Sequence, residues 1–219
     1  MIVVMSVVIL TLFLGVGWAV STEMFQHRAW RKKVESGDTA IVRALIEEAL
    51  GTWSRARPPK GTAANLWAGV QGCQLVAVTT DSATVSTAAE GEFRTEEGRR
   101  VQVSSALDEA IAVAAKLADM MLYDVPNLRL ASVRVDVYST FTGSDGSPEQ
   151  RPILSTTATR AAGDGLDWEA LTPAEVLGRF HTVFDRGSSG QAQRIELPPV
   201  EGSLPELPLL AVAAEGVSE

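Results

Sequence analysis

Chemistry on a protein needs nucleophiles, acid–base pairs or metal ligands at workable spacing, and this chain carries few of them. Its one cysteine, Cys73, stands in the strand-like run Val-Gln-Gly-Cys-Gln-Leu. A catalytic thiol needs a base and an electropositive setting, and with two histidines in the chain Cys73 reads as a small buried residue. His27 belongs to a basic cluster, and His181, next to Phe180 on an expected final helix, reads as structural. Glu90, Glu92, Glu96 and Glu97 follow one another along an expected hairpin. Carboxylates so arranged are either an acid–base pair or a solvated strand face, and the solvated face is the expectation. Asp145 in Gly-Ser-Asp-Gly-Ser lacks the alternating oxygen ligands and closing Glu of a calcium loop, so it reads as a turn. Gly187-Ser-Ser-Gly-Gln follows a helix rather than opening one, which disfavours anion binding. The chain has no phosphate-binding, dinucleotide, zinc-protease or nucleophile-elbow motif. The reading is therefore of no catalytic, cofactor-binding or metal-binding residues.

The chain has 219 residues, 46% hydrophobic and 21% charged, with a formal net charge of −8. That size suits one domain, or one domain plus an anchor. The acidic balance argues against non-specific nucleic-acid binding.

Residues 1–20, MIVVMSVVILTLFLGVGWAV, contain no charge. As a helix of about 1.5 Å rise they span roughly 30 Å, the thickness of a bilayer's hydrocarbon core. Nothing positive precedes the run, the run is long, and Gly17-Trp-Ala-Val-Ser21 is a poor cleavage site, so an uncleaved anchor is expected rather than a signal peptide. Arg28, Arg31, Lys32 and Lys33 come directly afterwards and predict that the flank stays cytoplasmic and the N-terminus faces outward. Trp18 and Trp30 suit the interfacial belts. Thr11, Gly15 and Ala19 recur every four residues, a small-residue stripe against which another helix can pack. Membrane lipid and other integral membrane subunits are the expected partners, in a bacterial inner or plasma membrane.

Charge is divided along the chain. From Arg28 to Lys60 the local balance is positive, as suits anionic headgroups; from Gly61 onward acids dominate, so a basic partner surface is expected for the domain and tail.

Three regions follow: an anchor and basic segment over residues 1–35, a domain over 36–194, and an acidic Pro-rich tail over 195–219. Within the domain, Asp38 caps an amphipathic helix through Trp53. Period-two patterns predict one or two strands over Leu66–Thr80 and a hairpin from Ala83–Arg94 to Arg99–Val103. Ser105 caps a helix to about Tyr123. Leu130–Tyr138 and Ile153–Arg160 form a second hairpin. Thr172-Pro-Ala-Glu opens a helix on which Val176, Leu177, Phe180, Val183 and Phe184 point inward. The expected class is α+β: an antiparallel or mixed sheet in repeated hairpin–helix order with helices packed on it, and no βαβ alternation. The tail places Leu207, Leu209 and Leu210 among prolines and glutamates, a composition that gains too little burial to fold alone and suits docking on a partner. The functional expectation is a non-catalytic, single-pass accessory subunit that assembles with and stabilises a larger membrane complex, of which an energy-transducing complex is one kind. A membrane-tethered sensor is the alternative.

Overall fold

A computed structural model describes residues 38–96, 98–188, 190–200 and 202. The elements in chain order are α1 (Thr39–Trp53), α2 (Ala64–Gln71), β1 (Gln74–Val78), β2 (Ser82–Ala88), β3 (Phe93–Glu96), β4 (Arg99–Gln102) and α3 (Ala106–Asp119). A π-helical turn over Met120–Asp124 ends α3. Then come β5 (Ser132–Thr142), β6 (Pro148–Thr159), α4 (Arg160–Gly163), α5 (Pro173–Leu177), β7 (His181–Arg186) and β8 (Ala192–Gln193).

The helices start where their caps dictate. The Asp38 carboxylate accepts from Ala40 N, the Ser105 hydroxyl from Asp108 N, and Thr172 with Glu175 closes a reciprocal capping box. Val42, Ile46, Ala49, Leu50 and Trp53 form the buried stripe of α1. Helix α3 carries the widest apolar face, buried from Leu107 to Ala118.

Six strands form one mixed sheet in the order β1-β2-β5-β6-β7-β8. Every pair is antiparallel except β2–β5. That parallel pair corrects one expectation: β2, α3 and β5 make a βαβ crossover. The chain must travel back along the sheet before β5 begins, and α3 is the connection that covers it. The domain is α+β with a mixed sheet and packed helices, as its pattern indicates.

Three local readings are also corrected. Leu66 lies in helix α2, not a strand; Trp67 and Val70 are one turn apart and share the buried side. At Gly69 a β-carbon would stand 2.7 Å from a Val113 methyl, so α2 and α3 approach closely because this residue has no side chain. The long first hairpin divides, with β2 joining the main sheet while β3 and β4 form a separate hairpin. Finally, α5 stops at Leu177 and the chain becomes β7, so His181, Val183 and Phe184 lie on a strand. Pairing with the otherwise open edge of β6 satisfies more backbone groups there than one further helical turn does.

The sheet has two unlike faces. Val133, Val135 and Val137 of β5 are fully buried in the helix-covered core. The intervening Arg134, Asp136 and Tyr138 point to the other face, with Ser86 of β2 and Ser155 of β6 beside them in register. No helix lies in the sequence pattern to cover that face, yet Arg134 is only 8% and Asp136 only 2% exposed.

The cover is the start of the segment read as a tail. Ile195 N donates to Pro152 O of β6. The Arg134 Nη1 donates to the carbonyls of Pro198 and Pro199 at 2.8 and 3.1 Å. Gly202 O accepts from Val78 N of β1 at 3.3 Å. Residues 195–200, with Gly202, thus form a strap running diagonally from β6 over β5 to the outer edge of β1, and packing continues past the boundary expected at residue 194.

Candidate interaction surfaces

The single thiol is a core group. Cys73 is buried, and burial alone pushes its pKa up to about 12, since a thiolate loses its hydration there. His181 is exposed at the start of β7. The acids of the first hairpin do not converge. Glu90 accepts from the Ser139 hydroxyl and Thr140 N. Glu92 sits at the foot of β3, where its oxygens accept from Asn65 and pair with Arg94, and Glu96 stands exposed at its tip. The Glu97 side chain lies outside the described residues. Asp145 closes a turn on Ser147 N and Oγ, and the Ser147 hydroxyl holds its carboxyl below the usual range. Among the described residues no group of three or more His, Cys, Asp or Glu could hold a metal ion. Nor is any described helix long and apolar enough to cross a membrane.

Thr11, Gly15, Trp18, Ala19, Arg28, Trp30, Arg31, Lys32 and Lys33 lie outside the described residues, as do Leu207, Leu209 and Leu210. The structure instead presents three surfaces.

The first is the β3–β4 hairpin. Arg94 pairs with Val101 and Thr95 with Arg100 around the Gly98 turn, where φ is +78°. All its described strand residues are exposed. Phe93 is 47% and Val101 42% exposed, and Val103, just past the strand, 49%. The Arg100 guanidinium lies 4.1 Å from the Phe93 ring centroid. The foot of the hairpin is pinned: Val103 N donates to Glu92 O, Glu92 N to Ser104 Oγ, and Gln191 to Gln102. The arm itself adds nothing to the core, and a two-stranded ribbon alone is marginal in water.

The second surface is an apolar groove of about 320 Å³, lined by Ile111, Leu177, Phe180 and Phe184 between α3, α5 and β7. Phe180 stacks on Trp168 at 5.7 Å, which holds its ring at the groove wall. An ion pair from Arg186 to Asp108 at 2.9 Å ties β7 to the first turn of α3 and pulls the Asp108 carboxyl down, the Ser105 hydroxyl contributing most.

The third is the strapped polar face. One Asp136 oxygen accepts from both Arg134 Nε at 2.8 Å and the Ser155 hydroxyl at 2.6 Å. The buried Arg134 Nη2 has no partner. An open cleft of about 260 Å³ is lined by Gly72, Gln74, Ser86, Tyr138 and Gln150. Burial, then the Asp136 charge, pushes the Tyr138 hydroxyl's pKa up, so it remains a hydrogen-bond donor at neutral pH. Sequence reasoning missed Arg134 and Asp136. Both alternate with valines on β5 and look solvent-facing until the strap is in place.

Comparison with protein-family models, with curated proteins and with solved structures finds no match to this chain.

Proposed function

We propose that the chain is a non-catalytic, single-pass accessory subunit that assembles with a larger integral membrane complex. The observation that carries this reading is the β3–β4 arm. A segment that orders its backbone while leaving Phe93, Val101 and Val103 in water recovers that ordering cost only when another surface covers it. Its exposed strand edges and apolar side chains are what strand addition by a partner uses. The anchor proposed for residues 1–20 supports the same reading, with the Thr11/Gly15/Ala19 stripe against a neighbouring helix and Trp18 and Trp30 at the interfaces. Arg28, Arg31, Lys32 and Lys33 meet cytoplasmic headgroups and keep the domain on that side. Leu207, Leu209 and Leu210 extend the contact with a partner whose rim is basic.

The test is recovery from native membranes in mild detergent. The full chain should bring defined membrane subunits with it. Gly15→Leu and Phe93→Ala should each reduce their recovery at unchanged chain abundance. Unchanged recovery for both, or digestion of the domain by protease applied to intact cells, refutes the proposal. The groove beside Phe184 favours a second reading, a membrane-tethered binding module, since 320 Å³ reaches the lower size of small-molecule sites. Ligand-induced stabilisation that Phe184→Ala abolishes would select it.

A further inference from the structure

We infer that the free edge of β3 is a two-fold contact between two copies of this chain, whose β3 strands add antiparallel to each other about Thr95 and make the two arms one four-stranded sheet. This rests on the proposed reading of the arm as a surface that a partner covers, and it names the partner of that edge as a second copy.

The backbone decides which groups the edge offers. Val103 N donates to Glu92 O at 2.8 Å, and the pairs Arg94–Val101 and Glu96–Arg99 lie two and four residues farther along the same register. Bonded and non-bonded pairs alternate in an antiparallel ladder, so Glu92, Arg94 and Glu96 turn their N–H and C=O groups toward β4. Phe93 and Thr95 turn theirs outward. Among the described residues β3 pairs with β4 alone, and a sheet gains independent stability at three strands or more.

Charge then selects the occupant and the register. With outward groups facing outward groups, two copies of β3 can pair about Phe93, Arg94, Thr95 or Glu96. About Arg94 or Glu96 a charge stands opposite its own kind, which is unfavourable. About Phe93 the two hairpin feet come within roughly 7 Å and press together two domains in which acids outnumber bases from Gly61 onward. About Thr95 each Arg94 faces Glu96 of the other copy, and the two Thr95 backbones exchange a pair of hydrogen bonds on the axis. Arg94 reaches its own Glu92 only at 3.9 Å in an exposed pair, so it is free to turn. Glu96 faces Arg99 within its own arm, so Arg99, Glu96 and the other copy's Arg94 alternate in sign across the new sheet. The feet then stand about 20 Å apart, and the acidic domains meet through their arms. The β4 edge cannot substitute, because it holds Arg99 and Arg100 and no acid, and its Gln102 accepts from Gln191. A patch that matches itself about a two-fold axis is what an isologous dimer requires. Phe93, Val101 and Val103 lie off the shared edge and remain for other subunits to cover.

Disulfide trapping of the full chain in mild detergent tests this, with the native thiol removed (Cys73→Ala). Across the axis the two Thr95 α-carbons stand about 5.5 Å apart, within disulfide reach, whereas the two Arg99 positions are three strands apart, about 14 Å or more. Under mild oxidation Thr95→Cys should cross-link between chains about tenfold or more faster than Arg99→Cys. With Thr95→Cys present, Arg94→Glu alone and Glu96→Arg alone should each lose the cross-link, and the two co-expressed under different tags should recover it as the mixed pair. Arg94→Cys co-expressed with Glu96→Cys gives a second trap, at the flanking pair. Equal rates at positions 95 and 99, or either charge variant cross-linking alone as fast as the mixed pair, would overturn the inference. Recovery of membrane subunits is read in the same eluates. Retained recovery without the Thr95 cross-link overturns the two-fold contact and leaves the proposed function standing; the cross-link without recovery supports the contact and refutes the proposed function.

Discussion

Removing the strap should destabilise the domain in a way that removing the rest of the tail does not. A chain ending at Arg194 loses the Ile195–Pro152 and Val78–Gly202 backbone bonds and both carbonyl acceptors of Arg134. Neutral hydrogen bonds contribute about 1 kcal/mol each and charge-assisted ones about 1.5–3 kcal/mol. The two Arg134 bonds share one nitrogen, and water reaches the guanidinium once the strap is gone. Counting them as one charged bond and discounting for that access leaves about 2–4 kcal/mol in all. For a domain of this size that is a fall of roughly 4–16 °C in melting temperature. The assay is thermal unfolding of three purified chains: full length, ending at Gly202, and ending at Arg194. Asp136→Ala in the full chain should fall at least as far, about 3–5 kcal/mol, because it strands a buried guanidinium. If the chain ending at Arg194 melts with the one ending at Gly202, the strap does not hold the polar face, and the burial of Arg134 needs another explanation.

Three further outcomes follow from the same packing. Gly69→Ala should cost about 1–3 kcal/mol by denaturant unfolding, because the added methyl meets Val113 across the α2–α3 contact. Cys73 should resist alkylation at pH 8 until the chain unfolds. With its folded pKa raised from 9.0 to about 12, its stabilising contribution is present below pH 9 and is lost as pH rises from there towards 12, and a Cys73→Ala chain should lack that part of the alkaline slope in a pH series of melts. Phe93→Ala should change the domain's stability by less than about 0.5 kcal/mol, since the ring is 47% exposed, so any lost recovery of partners reports the arm's contact and not misfolding.

Local grammar makes much of this domain legible in the sequence. Asp38, Ser105 and Thr172 cap helices because a short side-chain oxygen reaches a free N–H within two or three residues, an interaction complete within one turn. The valine alternation of β5 likewise shows which residues share a side, because a strand's period is two whatever surrounds it. The uncharged first twenty residues and the basic flank carry their expectation in composition alone, and they lie outside the described residues. What tertiary structure decided were the pairings between distant segments. Whether β2 joins β3 or β5 depends on α3 carrying the chain back across the sheet. Phe184 changes from a helix residue to an exposed strand residue because β6 leaves an edge open beside it. Arg134 and Asp136 read as a wet face in sequence. They are buried because Pro198 and Pro199, more than sixty residues downstream, lay their carbonyls over that face, a contact that no local period records.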